Sequence, residues 1–115
     1  MRTYTRLVLG YSITAELSPA GEDWSVLVLG GCAPHVGSVS TARWEGGSVT
    51  VESLVGRGHK DHIVSERFAL ALAQQTGRTV AVTCGIHYDA PGKEGLAAVL
   101  SGTEELLRDL LRELE

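Results

Sequence analysis

The histidines of this 115-residue chain fall in three short glycine-marked junctions. His35 stands in Gly31-Cys32-Ala33-Pro34-His35-Val36-Gly37, His59 and His62 in Gly56-Arg57-Gly58-His59-Lys60-Asp61-His62, and His87 in Gly85-Ile86-His87-Tyr88-Asp89. An imidazole can carry a proton near neutrality, ligate a metal, or hydrogen-bond a heteroatom of a bound ring. Each junction ends an apolar run, so these groups belong to loops or element ends, where a rigid scaffold commonly presents functional side chains. Three such places in one small chain predict a single shared site, formed within a subunit or across an interface.

The junction at Gly58-His59 comes just before an expected helix start, where free backbone N–H groups and the positive helix end favour an anion such as a phosphate. Lys60 adds a cation and Arg57 offers another. The plainer reading is a tight turn at Gly58 whose polar residues cap the helix, with Asp61 or His62 as the cap. The run is neither a Walker loop nor a dinucleotide fingerprint, lacking both the GK[ST] ending and the GxGxxG spacing. His87 and Asp89 are two apart at a strand end and can face one ligand together. Thr79, Ala81, Thr83 and Gly85 on the same strand face are small enough to leave room for a planar ring. Against this, Asp89 could cap the next helix and His87 could be a solvated strand end. Gly37 and its neighbours beside His35 permit close approach of a ligand or a neighbouring subunit, or serve only as a turn. His35, His59 and His87 with Asp61 or Asp89 are ligand types for zinc, iron or manganese, yet no HxH, HExxH or HxxxH pair indicates a metal. A metal-dependent enzyme using His59, His87 and Asp89 stays open as an alternative, as does a structural assembly subunit.

The elements that must position these groups follow from periodicity. Thr5 to Leu17 alternates with period two and reads as one long strand. After a turn at Ser18 to Asp23, Trp24 to Leu29 is apolar on both faces, as in a central strand or one covered by a partner subunit. Val36 to Arg43 and Ser48 to Leu54 form a hairpin around Glu45-Gly46-Gly47. Helical spacing of Val64, Phe68, Ala71 and Leu72 predicts a helix from Asp61 to Gln75, stopped by Gly77. Thr79 to Ile86 is a fifth strand. A short helical stretch to Leu100 precedes a last helix, capped by Ser101 and Glu104 and carrying Leu106, Leu107, Leu110, Leu111 and Leu114 on one stripe. The expected fold is α+β: a mixed, mostly antiparallel five-stranded sheet in the order β-β-β-β-α-β-α, with helices on one face. The other sheet face is only partly polar, which predicts a homo-oligomer, at least a dimer.

Composition narrows the function. A net charge of −4 without a basic stripe argues against nucleic acid. No apolar run approaches the length of a membrane span and no export signal is recognisable, so a cytoplasmic location is expected. In that compartment Cys32 and Cys84, which form no CxxC pair, are expected to be reduced thiols.

Four short motifs in order carry a family resemblance: Gly30-Gly31 with Pro34-His35-Val36-Gly37-Ser38-Val39, then Gly58-His59-Lys60-Asp61, then Gly77-Arg78 leading into Val80 to Val82, then Gly85-Ile86-His87-Tyr88-Asp89. From about Leu27 to Lys93 the chain resembles the LpdD-like prenylated-flavin chaperone family, which would make residues 1–115 one LpdD-like domain. The resemblance implies a non-enzymatic accessory protein that binds prenylated FMN, or FMN, and delivers or matures it for a UbiD-type decarboxylase. Taken with the residues above, it implies cofactor contacts at His35, Gly37, Gly58, His59, Lys60, Asp61, His87 and Asp89.

Overall fold

The computed structural model describes residues 1–56 and 60–115. Six strands and two helices follow in the order β1 (Arg2–Val8), β2 (Tyr11–Ala20), β3 (Asp23–Gly31), β4 (Ser38–Glu45), β5 (Ser48–Val55), α1 (Asp61–Thr76), β6 (Val80–His87) and α2 (Gly92–Glu113). The fold is α+β as expected, but the sheet has six strands rather than five.

The extra strand arises because the long alternating run folds back on itself. Leu9 (φ 51°) and Gly10 (φ 83°) both adopt the left-handed region, the backbone of a tight two-residue hairpin turn. Alternation continues unbroken through this turn in the sequence, but the turn exchanges faces. Leu7 pairs with Ser12 and is exposed, whereas Ile13, an even six residues after Leu7, is fully buried. The hairpin turn between β4 and β5 is as the sequence indicates, with Gly46 and Gly47 at positive φ. The turn expected over Ser18 to Asp23 is only Gly21-Glu22, because Ser18 to Ala20 continue β2 in register with β3.

The sheet order is β1-β2-β3-β6-β4-β5. The crossover through α1 does not make β6 a neighbour of β5. Instead β6 inserts between β3, to which it runs parallel, and β4, to which it runs antiparallel. Every other pairing is antiparallel. This central insertion gives β6 buried residues on its helix side, Val80, Val82 and Cys84, which stand beside Val26 and Val28 of β3.

Both helices pack on one face, α1 over β4, β5 and β6, and α2 over β1 and β2 while touching α1. Phe68 and Leu72 of α1 and Leu106, Leu107 and Leu110 of α2 are buried against the strands. The leucine stripe therefore serves the core. The two helical stretches expected at the C-terminus are one continuous helix, so Ser101 and Glu104 form no capping box. Gly102 does not interrupt it because the glycine is a contact point: an added Cβ would lie 2.8 Å from Val8 Cγ2. Helix packing thus outweighs the cost of a mid-helix glycine. Between β4 and α1 the buried hydroxyls satisfy one another, Ser65 Oγ meeting Ser38 Oγ at 2.8 Å and Ser40 Oγ at 2.7 Å.

The helix-free face carries a cross-strand row defined by register: Thr3, Glu16, Leu27, Thr83, Val39 and Leu54. Leu27 and Leu54 are exposed and none of the six is buried. Along this row the residues are polar on β1 and β2 and mainly apolar from β3 to β5, while Thr41, Arg43 and Glu52 keep the rest of the β4–β5 end polar.

Candidate functional site

The three junctions meet at one end of β6, and the residue that joins them is Asp61. It is 7% exposed and opens α1, where a carboxylate is favoured by the helix dipole. Its side chain does not cap the helix. The N-cap is Lys60, without a side-chain hydrogen bond, because both Asp61 oxygens are engaged across the tertiary fold. Oδ1 accepts from the Ile86 backbone N–H at 3.0 Å, and Oδ2 lies 3.2 Å from His35 Nε2. One carboxylate thereby ties the start of α1 to the end of β6 and to the loop after β3. His62, the other cap expected from sequence, gives α1 no side-chain cap either.

Glycines make this closeness possible. A Cβ on Gly37 would lie 1.9 Å from Asp61 Oδ2, and one on Gly85 would lie 1.5 Å from the His35 carbonyl oxygen. The loop lies directly on the β6 backbone, with the Gly37 N–H donating to the Cys84 carbonyl at 2.9 Å. The third junction joins through the Gly56 N–H, which donates to the Gly37 carbonyl at 2.7 Å. His35 Nδ1 lies 3.0 Å from the Ala33 carbonyl, so the imidazole is held at both ends. Cys84, buried below, has its thiol pKa pushed up by burial and secondarily by the Asp61 charge.

A second cluster lies further along β6. The His87 Nε2–H donates to Asp89 Oδ1 at 2.9 Å, so these side chains share a side as their spacing predicts. Asp89 does not cap α2, whose N-cap is Pro91. Its carboxyl is held below the ordinary aspartate range, first by the hydrogen bond from His87 and then by one from Cys32. Cys32 comes to this place because Gly31, at φ 82°, lets the chain touch the His87 carbonyl, 2.0 Å from where a Cβ would stand. The Cys32 N–H donates to that carbonyl at 2.8 Å. Tyr88, between the two polar residues, points elsewhere. Its hydroxyl donates to the Val8 carbonyl at 2.8 Å, and burial raises its pKa.

Of the residues singled out in the sequence, the fold gathers His35, Gly37 and Asp61 in one contact and places His87 with Asp89 next along the seam. Lys60 is exposed beside them. Gly58 and His59 lie outside the described residues, so the constellation of His59 with His87 and Asp89 does too. Cys32 was legible only as a thiol, and Gly31 before it was the signal that its chain makes a close approach. The small strand face is shorter than alternation indicates. Ala81 and Thr83 remain half-exposed, but Gly85 is buried under the His35 peptide. Beside this seam is a cleft of 270 Å³ lined by Val36, Gly37, Val39, Leu54 and Gly56 among others.

The structure defines a small α+β domain in which loop and strand-end polar groups converge at one end of the central strand β6. Residues 8–115 match the family described as the prenylated flavin chaperone LpdD-like domain. The chain is 34% identical to Protein LpdD of Lactiplantibacillus plantarum (strain ATCC BAA-793 / NCIMB 8826 / WCFS1) over 117 residues, covering 100% of this chain and 86% of that protein. It also resembles a chain of the crystal structure of a novel chaperone complex for yeast 20S proteasome assembly. There the TM-score is 0.59 with 14% identity, covering 99% of this chain and 98% of that one, a likeness of fold alone. The chain therefore belongs to the LpdD-like prenylated-flavin chaperone family, as a non-enzymatic accessory protein. That family assignment sets aside the alternative of a metal-dependent enzyme.

Proposed function

We propose that this protein binds prenylated FMN, or FMN, and hands it to a UbiD-type decarboxylase in the cytoplasm. Family membership carries the reading, and the surface chemistry supports it. The cleft of 270 Å³ falls below the roughly 300–1,000 Å³ that encloses a drug-sized ligand. A flavin nucleotide would therefore lie partly across the surface. A shallow seat suits a protein that must release its cargo to another. The ring rests over Thr83, Ala81 and Val39 on the helix-free face, where Leu27 flanks Thr83 in register. The phosphate extends toward Gly56 and the exposed Lys60 at the start of α1. His35 and Asp61 position the loop, and His87 and Asp89 stand toward the ring's far edge. A homo-oligomer, at least a dimer, would cover the apolar part of the same face and complete the enclosure. Within the described residues no helix is long and apolar enough to cross a membrane, and no nucleic-acid partner is invoked.

The test is anaerobic mixing with reduced prenylated FMN, followed by native mass spectrometry and flavin absorbance. A stoichiometric complex weakened by Lys60→Ala and by Thr83→Trp is expected. Wild-type affinity in both variants would remove the ligand from this face. No complex with either flavin would refute the carrier reading.

A further inference from the structure

Cys32, His87 and Asp89 serve neither the core nor the Asp61 contact, yet they converge. One ligand atom from each lies within 4.8 Å of the other two. The sulfur, nitrogen and oxygen come from the two segments that Gly31 brings together. We propose that these three side chains form a binding site for a borderline-soft divalent ion, zinc foremost, with one coordination position left open.

The donor set decides the ion. Zinc takes thiolate sulfur at about 2.3 Å, imidazole nitrogen at about 2.0 Å and carboxylate oxygen at about 2.0–2.2 Å. Magnesium and calcium prefer all-oxygen shells. In a tetrahedral shell with those bond lengths, neighbouring donors stand about 3.3–3.7 Å apart. The His87–Asp89 contact at 2.9 Å needs to open by only a few tenths of an ångström. The backbone is already fixed, with the Cys32 N–H bound to the His87 carbonyl and Tyr88 anchored on the opposite side. On binding, the thiol proton of Cys32 leaves to solvent and the His87 Nε2 proton passes to Nδ1, so that the ion's two charges balance one thiolate and one carboxylate. Cys32 and His87 are half-buried while Asp89 is exposed, which leaves an entry path on the Asp89 side. Solvent occupies the open position.

The experiment uses the full chain, freed of any histidine tag and kept reduced. Cobalt(II) is titrated as an optical probe and zinc by calorimetry. One equivalent of cobalt should give a thiolate charge-transfer band, absent in Cys32→Ser. Zinc affinity should fall at least about 10- to 100-fold in His87→Gln and in Asp89→Asn, since even supporting contacts of metal ligands carry that much. Circular dichroism checks that each variant is folded. In the wild-type chain, zinc should also slow alkylation of Cys32, a readout that needs no variant. Absence of the thiolate band, undiminished zinc affinity in Cys32→Ser, or Cys32 alkylation indifferent to zinc would each overturn the site.

Discussion

The contact between Gly37 and Asp61 offers a quantitative test of how the junctions are held. Gly37 has no need of glycine's backbone freedom, since its φ is not in the left-handed region. Its constraint is steric, because an added Cβ would stand 1.9 Å from Asp61 Oδ2 and 2.9 Å from His35 Nε2. Gly37→Ala must therefore displace the carboxylate from a buried position where it serves Ile86 and His35. Asp61→Ala removes the same two hydrogen bonds outright. Bonds to a charged group are worth about 1.5–3 kcal/mol each. The half-buried His35 can turn to water, so the sum falls toward about 2–4 kcal/mol. Once Asp61 is alanine, the methyl group at position 37 meets far less. The double variant should be more stable than the two single losses added together, with a coupling of about 1–3 kcal/mol. Urea unfolding of the four proteins gives the cycle, and hydrogen exchange of the Gly37 and Ile86 amides shows whether the loop has loosened. Losses that add within about 0.5 kcal/mol would show that Gly37 and Asp61 do not constrain each other, and the account of the seam would fail.

Other outcomes follow from the same geometry. Leu110→Ala should lower stability by about 2–5 kcal/mol because the side chain is fully buried between helix and sheet, and an unchanged urea midpoint would contradict this packing. Gly31→Ala should cost more than Gly21→Ala, although both glycines have positive φ, because only Gly31 faces a backbone carbonyl. Equal midpoints would remove the close approach from the explanation. Arg2 and then Tyr4 hold the Glu113 carboxyl below its ordinary value of 4.5. Their contribution is therefore present above that value and lost as pH falls through the lower folded value. In Arg2→Ala with Tyr4→Phe the acid-side decline in stability should be shallower, and identical pH profiles would refute the linkage.

Much of this was readable because each local signal agreed with the tertiary fold. The glycine pair at 46 and 47, the helical spacing of Phe68 and Leu72, and the leucines of the last helix specify elements without help from distant contacts. The first hairpin was hidden because a two-residue turn keeps polar and apolar residues alternating while it reverses the chain. The unity of α2 was hidden because Ser101 and Glu104 have capping-box spacing beside Gly102, and only the packing of Gly102 on Val8 shows why the helix runs through. In the site, the spacing of His87 and Asp89 declared their pairing. The pairing of His35 with Asp61 spans 26 positions and depends on β6 entering the middle of the sheet, which no local pattern encodes. Cys32 went unmarked for the same reason.

The position of β6 also orders events during synthesis. The first three strands and the hairpin of β4 and β5 are made of near neighbours in the chain and can pair as they emerge. Until residue 87 is available, however, β3 and β4 each present an unpaired edge, and the two halves have no strand to join them. Exposed edges of this kind invite pairing with other chains, and the late non-local closure slows folding. The contacts that seat the loop after β3, Gly37 on Cys84 and Cys32 on His87, and the hydrogen bond from Ile86 to Asp61 are anchored on β6. A nascent or truncated chain ending before that strand would carry most of the sheet and none of the assembled site.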